Sequence, residues 1–250
     1  MNMHQYESRP GLLADRIILV TGAGDGIGRA AAKALAAHGA TVVLSGRTLS
    51  KLESVYDEIE ANGGPQPALV PLDFSLAGRH EYELLANTIE SEFGRLDGIL
   101  HNASLLGDIT PLEMYDPETW DTVMKVNLRA PFLLTQALLP LLKQSPDASV
   151  VFTTSSVGRR ARAFWGAYAI SKSGIEGLSQ MLADELMNIS NIRVNCINPG
   201  ATRTSMRAAA YPGEDPESLK MPEEIMPLYL YLMGPDSKGI TGQSLDAQPR

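Results

Sequence analysis

Tyr168 and Lys172 are the two residues whose types and spacing most directly suggest chemistry. They lie four positions apart on a predicted helix, so their side chains share one face. An ammonium group beside a phenol favours the phenolate and lowers the tyrosine pKa from about 10 towards working pH. Ser155 follows a predicted strand, where its hydroxyl could hold a substrate carbonyl. Although Tyr-x-x-x-Lys is common by chance, the set predicts general acid or base chemistry at a substrate oxygen.

A glycine-rich segment, residues 21–28 (Thr-Gly-Ala-Gly-Asp-Gly-Ile-Gly), separates the first predicted strand from the helix that follows it. Glycines permit a tight turn and let the backbone approach a pyrophosphate, which the free N–H groups of the helix N-terminus can bind. No Gly-Lys-Ser/Thr follows, so the segment is not a P-loop. It predicts a dinucleotide site, and the alternative is a simple tight turn.

Arg47 follows the second predicted strand, where an acidic residue would hold the ribose hydroxyls of NAD. A guanidinium group instead pairs with a 2′-phosphate, which a carboxylate would repel. Arg47 therefore favours NADP(H), and the alternative is a solvated surface arginine. Asp25 within the glycine segment argues against this interpretation, since it places an acid where phosphates would bind.

These residues are carried by a regular alternation of predicted strands and helices. Short apolar runs predict strands at 17–20, 41–44, 68–72, 98–101, 149–153, 192–197 and 244–245. Helical patterns occupy 27–37, 49–59, 82–93, 116–143, 167–187 and 222–233, with disturbances expected near Pro131 and Pro140. The alternation predicts an α/β protein with a single doubly wound parallel sheet and helices on both faces, a Rossmann fold.

The predicted organisation is one domain. Residues 1–14 are expected to form an N-terminal arm and residues 15–250 the domain itself. Residues 201–221 show little periodicity and are predicted to be a loop or substrate lid.

The composition is that of an ordinary globular protein, with 44% hydrophobic residues among 250 and a formal net charge of −8. The negative charge argues against nucleic acid as a partner. The single cysteine, Cys196, excludes a disulfide framework and a multi-cysteine zinc site, and the four histidines show no ligand spacing, so no metal is expected. A polar N-terminus and the absence of an 18-residue apolar run predict a cytoplasmic protein without membrane contact.

In chain order, the motifs resemble those of the classical short-chain dehydrogenases/reductases over nearly the whole chain. The matching residues are Thr21-Gly-x-x-x-Gly-Ile-Gly28, Asp73, His101-Asn102-Ala103-Ser104, Asn127, Ser155, Tyr168-x-x-x-Lys172, and Pro199-Gly200 with Thr204. The chain departs from the family in two places. Ser104 replaces a usual glycine, and residues 245–248 (Leu-Asp-Ala-Gln) replace the usual Val-Asp-Gly-Gly.

The resemblance implies four catalytic residues. Tyr168 would donate or remove the proton, Lys172 would lower its pKa and bind the nicotinamide ribose, and Ser155 would orient the carbonyl. Asn127 would hold a water that links Lys172 to solvent. The cofactor-binding residues that the resemblance and the glycine segment imply are Gly22, Gly24, Asp25, Gly26, Ile27, Gly28, Arg47, Asp73, Asn102, Ala103, Tyr168, Lys172, Pro199, Gly200, Thr202 and Thr204.

The implied function is an NADP(H)-preferring oxidoreductase that passes a hydride between nicotinamide and a carbonyl or alcohol. A 3-oxoacyl thioester is the substrate suggested at the level of the family, and a homodimer or homotetramer is the expected assembly. The alternative from another class is an NADP(H)-binding sensor or regulatory protein with little turnover. A sugar-nucleotide epimerase or dehydratase is the alternative among enzymes, although such chains are usually longer.

Several arginines near these motifs could receive an anionic substrate. They are Arg159, Arg160, Arg162, Arg203 and Arg207. Salt bridges or solvation are the favoured alternative for them. Phe164 and Trp165 could line a substrate pocket or pack at a subunit interface.

Overall fold

A computed structural model of the protein describes residues 6–248. Within this range, seven strands form one sheet in the order β3-β2-β1-β4-β5-β6-β7, and every neighbouring pair is parallel. The strands are β1 (Ile17–Thr21), β2 (Thr41–Gly46), β3 (Ala68–Pro71), β4 (Gly98–His101), β5 (Ala148–Thr153), β6 (Ile192–Asn198) and β7 (Ser244–Asp246). The predicted doubly wound parallel sheet is confirmed.

Helices pack on both faces of this sheet, so its central strands are buried on both sides. The helices are α1 (Gly26–Ala37), α2 (Leu49–Ala61), α3 (Arg79–Phe93), α4 (Pro117–Met124), α5 (Ala130–Leu142), α6 (Ser156–Arg159), α7 (Gly166–Leu186), α8 (Ser205–Ala210) and α9 (Met226–Met233). Alternate residues of β1 enter different cores. Ile18 and Val20 pack with α1, α2 and α9, whereas Leu19 packs with α3, α5 and α7.

The chain order reverses between β1 and β4, which are neighbours in the sheet although β2 and β3 separate them in sequence. In an open parallel sheet, such a reversal leaves a crevice beyond the carboxyl ends of the strands, and ligands bind there. The glycine segment follows β1, and the His101–Ser104 segment follows β4. The fold therefore brings both segments to this crevice.

The helix predicted at 116–143 is interrupted by a π-helical turn, Lys125–Arg129, between α4 and α5. The N–H of Ala130 bonds to the carbonyl of Lys125, five residues back. Pro131 lacks an N–H, so it cannot donate to the Asn127 carbonyl as an ordinary helical residue would. The disturbance expected near Pro131 thus falls upstream at Asn127, whereas Pro140 lies inside α5. Such turns often mark functional sites.

The segment 201–221 contains the short helix α8, which the low periodicity did not predict. The Thr204 side chain caps it by accepting a hydrogen bond from the Arg207 N–H at 3.1 Å. The base of the segment is closed, since the Arg203 N–H donates to the Lys220 carbonyl at 2.8 Å. We call residues 201–221 the lid segment below.

The described part of the N-terminal segment packs on the sheet domain. Tyr6, Leu12 and Leu13 are buried in the core that contains α1 and α9. The Tyr6 hydroxyl donates to the Asp236 carboxylate at 2.8 Å, and Arg9 pairs with the same carboxylate at 2.9 Å. Residues 1–5 of the expected arm lie outside the described range. Across residues 6–248, none of the helices combines the length and apolar character needed to span a bilayer.

Candidate active site

The carboxyl ends of the strands enclose a cavity of about 420 Å³. Most of the residues that the sequence singled out line it. They are Gly22, Gly24, Asp25, Gly26, Ile27, Arg47, Asp73, Asn102, Ala103, Ser155, Tyr168, Lys172, Pro199, Gly200, Thr202 and Thr204. Gly28 and Asn127 lie behind this surface. The cavity has two ends, which we call the cofactor end, at the glycine segment, and the substrate end, at Tyr168 and the lid segment.

The cofactor end is shaped by glycines that leave no room for side chains. Gly22 has a φ of +67°, and a Cβ there would lie 2.9 Å from the Ala103 Cα. A Cβ at Gly28 would overlap the carbonyl oxygen of Gly22. Thr21 ties the two loops together, since its Oγ1 accepts the N–H groups of Asn102 and Ala103 at 3.0 and 3.1 Å. The result is a narrow backbone cradle at the N-terminus of α1.

Asp25, the acidic residue in the glycine segment, is neutralised locally. Its carboxylate caps α1 by accepting from the Gly26 N–H at 2.8 Å, and it pairs with Lys51 at 2.6 Å. The Lys51 hydrogen bond and the Gly26 N–H lower the Asp25 pKa. The acid that argued against phosphate binding is therefore offset by a cation. No spacing rule links Lys51 to the glycine segment, so this ion pair could not be predicted from the sequence.

Arg47 is exposed at the end of β2 and lines the cofactor end. Among residues 6–248, no carboxylate forms a salt bridge with it. Asp73, after β3, instead accepts the N–H and the hydroxyl of Ser75 at 2.8 and 2.6 Å, and these bonds lower its pKa. The guanidinium of Arg47 is thus available to an anionic ligand.

Tyr168 and Lys172 both project from α7 into the cavity and are almost fully buried. The Lys172 ammonium donates to the Thr153 carbonyl at 2.8 Å and lies 5.5 Å from the centroid of the Tyr168 ring. Ser155 begins α6, where its Oγ accepts from the Val157 N–H at 3.5 Å. Three elements, the end of β5, α6 and α7, therefore converge on one point of the cavity.

Burial dominates the protonation of this pair and corrects one expectation. It raises the Tyr168 pKa to about 12, and the opposing effect of the Ser155 hydroxyl is smaller. It also lowers the Lys172 pKa to about 8. The expected lowering of the tyrosine pKa by Lys172 is outweighed in this arrangement, because desolvation penalises both charged forms. The phenol keeps its proton near neutral pH, which is the form of a general acid.

Asn127 sits in the π-helical turn, with its side chain buried behind the cavity. Its amide pairs with both backbone groups of Leu105, accepting the N–H and donating to the carbonyl at 2.8 Å each. The Nδ2 also donates to Ser171 Oγ at 3.1 Å, and that hydroxyl donates to the Tyr168 carbonyl at 2.8 Å. Asn127 thus connects the loop after β4 to the helix that carries Tyr168.

Gln248 fastens the turn after β6, a role that the sequence did not suggest. Its Nε2 lies 2.9 Å from the Pro199 carbonyl, 3.0 Å from the Ala201 carbonyl and 3.2 Å from Thr202 Oγ1. Gly200 in this turn has a φ of +75°, which favours glycine. The departure from the family pattern at residues 245–248 therefore supports the cavity wall.

Two hydroxyls at the cavity are buried without a hydrogen-bond partner among the described residues. They belong to Ser104 and Thr154. His101, by contrast, is fully satisfied, with Nε2 at 2.8 Å from Thr135 Oγ1 and its ring stacked on Phe152 at 4.7 Å. Burial lowers the His101 pKa to about 3, so this histidine stays neutral.

Comparison with known proteins agrees with this geometry. A family model described as short chain dehydrogenase matches residues 16–215, so the chain belongs to the short-chain dehydrogenase/reductase family. It is 55% identical over 247 residues to a protein of Escherichia coli (strain K12) named uncharacterized oxidoreductase YciK. That match covers 99% of this chain and 97% of the relative.

Two further comparisons extend the match. A crystal structure of a short chain dehydrogenase from Escherichia coli CFT073, complexed with NADPH, is 55% identical with a TM-score of 0.94, covering 97% of this chain and 100% of that one. The 3-oxoacyl-[acyl-carrier-protein] reductase FabG of Thermotoga maritima is 30% identical over 239 residues, 92% of this chain and 95% of the relative. The protein is thus an oxidoreductase that acts on CH–OH and C=O groups.

Proposed function

We propose that the protein is an NADP(H)-preferring oxidoreductase that interconverts a carbonyl compound and its alcohol. The observation that carries the proposal is the convergence of Ser155, Tyr168 and Lys172 on a cavity whose other end holds Arg47, which forms no salt bridge with the described residues. The NADPH complex of a 55% identical relative supports the choice of cofactor.

The cofactor end fits a dinucleotide phosphate. The cradle at Gly22 and Gly28 has no space for a Cβ, which suits close approach of a pyrophosphate to the N-terminus of α1. Arg47 would pair with the 2′-phosphate, and Lys51 would offset the charge of Asp25 beside it. The other proposed contacts are Gly24, Gly26, Ile27, Asp73, Asn102, Ala103, Pro199, Gly200, Thr202 and Thr204.

The substrate oxygen would meet two hydroxyls. Ser155 would donate a hydrogen bond that polarises the carbonyl, and Tyr168 would transfer its proton to the oxygen. The nicotinamide would supply the hydride that the carbonyl carbon accepts. In the reverse direction, the alcohol would return the hydride to the nicotinamide and the proton to Tyr168. Lys172 uses one of its three N–H donors on the Thr153 carbonyl. The other two can bind the ribose and stabilise the phenolate that remains after proton transfer.

Asn127 would take part in returning a proton to Tyr168. The side chain is committed to Leu105 and Ser171, which leaves the backbone carbonyl as the group available to water. Because Pro131 cannot donate to this carbonyl, it has no ordinary helical partner. In the proposed relay, a water on the Asn127 carbonyl connects Lys172 with solvent.

A 3-oxoacyl thioester is the substrate candidate favoured by the 30% identity to the Thermotoga maritima reductase. For the assembly, α5 and α7 expose large apolar side chains. Phe132 is 43%, Ile170 47% and Met181 50% exposed. A subunit interface would cover these exposed side chains, which supports a homodimer or homotetramer as the assembly. The single buried thiol, Cys196, suits a reducing compartment, and the cytoplasm is the proposed location.

Tyr168→Phe tests the function most directly. We would measure NADPH oxidation with ketones, aldehydes, quinones and short 3-oxoacyl thioesters, and NADPH binding by fluorescence. The expected result is a fall in turnover of about 10²–10⁴-fold with NADPH binding retained, since only the transferable proton is removed. Tyr56→Phe is the matched control, because this tyrosine lies on α2 outside the cavity.

Two outcomes would contradict the proposal. Turnover unchanged in Tyr168→Phe would remove the assigned proton donor. Tight NADPH binding by the unmodified protein without turnover of any compound would favour the alternative, a sensor or regulatory protein.

A further inference from the structure

The substrate end of the cavity is built around Trp165. Its ring centroid lies 5.6 Å from that of Tyr168 and 5.8 Å from that of Tyr211, with an interplanar angle of 48° to each ring. Leu106 and Met206 pack against the same cluster and also line the cavity. The wall beside Tyr168 is therefore apolar, with Trp165, Leu106 and Met206 lining the cavity and Tyr211 packing on Trp165.

The cation at this wall is already neutralised. The Arg207 guanidinium makes two hydrogen bonds to the Glu214 carboxylate, at 2.6 Å each, and its central carbon lies 3.8 Å from the centroid of the Tyr211 ring. All three residues belong to the lid segment, so the pair forms without a ligand. The ion pair is neutral overall, and Nε and Nη2 of the guanidinium are both bonded to Glu214, so the attraction of Arg207 for a substrate carboxylate is reduced.

The neighbouring arginines show the same pattern. Arg203 pairs with Glu217 at 2.7 Å, and Arg159 pairs with Asp246 at 2.7 Å. The alternative of salt bridges therefore holds for three of the five arginines that the sequence singled out. An anionic group that packs on Trp165 would lose its hydration against an apolar wall, which is costly.

We infer that the substrate is an uncharged carbonyl compound or alcohol whose apolar flank, ring-sized or acyl, packs on Trp165, and that substrates with a carboxylate on that flank are excluded. The inference rests on the proposed function, since it concerns the same cavity. It limits the hypothesis that the five arginines receive an anionic substrate. An anionic group of the substrate would then contact only Arg160 and Arg162, which are exposed on the exterior. A thioester with a neutral arm stays within the class.

Three matched methyl ketones separate charge from size: acetophenone, 4-acetylbenzoate and its uncharged methyl ester. With NADPH, we expect kcat/KM for acetophenone and the methyl ester to exceed that for 4-acetylbenzoate by at least about tenfold, since the carboxylate would be desolvated against the apolar wall at Trp165. A higher kcat/KM for 4-acetylbenzoate than for its methyl ester would overturn the inference.

Glu214→Gln tests whether the pairing of Arg207 is what excludes the carboxylate. The substitution removes the compensating charge and leaves the shape of the lid segment. We expect kcat/KM for 4-acetylbenzoate to rise about fivefold or more, with that for the methyl ester unchanged. An equal change for both compounds would contradict the role assigned to this ion pair.

Binding provides a readout that does not depend on turnover. The chain has two tryptophans, and Trp120 does not line the cavity. In Trp120→Phe with saturating NADP⁺, we expect saturable quenching of Trp165 fluorescence by acetophenone and the methyl ester, and none by 4-acetylbenzoate at the same concentrations. Trp165→Phe, which keeps Trp120, is the matched control and should show no saturable quenching.

The two proposals fail in different ways. Quenching without reduction of any ketone would contradict the proposed function and support the inferred substrate class. Reduction of ketones with equal or tighter binding of 4-acetylbenzoate, or without saturable quenching by either neutral ketone, would overturn the inference and leave the oxidoreductase in place. Trp165→Ala should raise KM for acetophenone roughly tenfold and leave NADPH binding unchanged, while Trp165→Phe should restore KM.

Discussion

The cofactor end and the substrate end of the cavity present different kinds of surface. At the cofactor end, backbone atoms of Gly22 and Ala103 define the surface, and Arg47 stands without a salt bridge to the described residues. At the substrate end, side chains define the surface, and Arg207 is paired with Glu214 inside the lid segment. The cofactor end presents backbone groups and an arginine without a salt bridge to the described residues. The substrate end presents an apolar wall whose arginine, Arg207, is paired with a carboxylate.

The difference shows why one ligand is easier to identify than the other. A backbone cradle requires glycine at fixed positions, so it can be predicted directly from the sequence. An apolar wall accepts many residues of similar size and can come from distant segments, here α7 and the lid segment. Three substitutions or conditions probe the contrast between the two ends.

Gly28→Ala should have the largest effect. Its Cβ would overlap the Gly22 carbonyl oxygen, so the cradle must shift, and we expect NADPH affinity to fall by about 100-fold. Overpacking should also lower the free energy of unfolding by about 1–3 kcal/mol. Gly213→Ala in the lid segment is the control, because a Cβ there meets no atom within 4 Å. Fluorescence titration and urea unfolding measure both quantities, and equal results for the two variants would refute the cradle.

Arg47→Ala should have the next largest effect and should be selective. Loss of the charge-assisted bonds to a 2′-phosphate should weaken NADPH binding by about 10- to 50-fold and leave NADH binding little changed. Arg162→Ala is the matched control, since this arginine is exposed and does not line the cavity. Equal losses for the two nucleotides would exclude the 2′-phosphate assignment.

Lys172, where the two ends meet, should act on stability rather than on ligand binding, seen as a pH dependence of the free energy of unfolding. Its pKa in the folded protein, about 8, lies below the ordinary 10.5, so the unfolded chain binds more protons between these values. The free energy of unfolding should therefore rise with pH from about 8 to 10, by at most about 1.4 kcal/mol per pH unit. The raised pKa of the buried Cys196 thiol acts in the opposite direction from about pH 9, and that of Tyr168 from about pH 10.

Lys172→Met should abolish that rise. Urea unfolding of the ligand-free protein at pH 8 and pH 10, as the difference between the unmodified chain and the variant, cancels the other titrating groups. A pH-independent difference would show that Lys172 is not held in an environment that disfavours its charge.

Much of the fold was predictable because each element carries its own signal. The apolar run of β1 and the alanine-rich face of α1 correspond to the predicted strand and helix within one residue. The π-helical turn at Asn127 was not predicted, because its cause, the missing N–H of Pro131, acts several residues upstream. The short helix α8 was missed because six residues carry too little periodicity.

The site divides in a similar way. The positions of the glycines, of Tyr168 and Lys172, and of Arg47 after β2 follow from motif spacing and from the carboxyl ends of parallel strands. The partnership of Asp25 with Lys51 could not be read from spacing, since the two residues belong to different elements. The hydrogen bond from Gln248 to the turn at Pro199 could not be predicted for the same reason.

The sequence by itself determined the class of fold, the dinucleotide cradle and the identity of the groups that can move a proton. These properties depend on local backbone preference and on residue type, which each segment carries alone. Only the tertiary structure decided how those groups are charged and what surrounds them. Burial, which sets the pKa of Tyr168, and the pairing of Arg207 with Glu214, which shapes the substrate end, depend on segments that meet only in the folded chain.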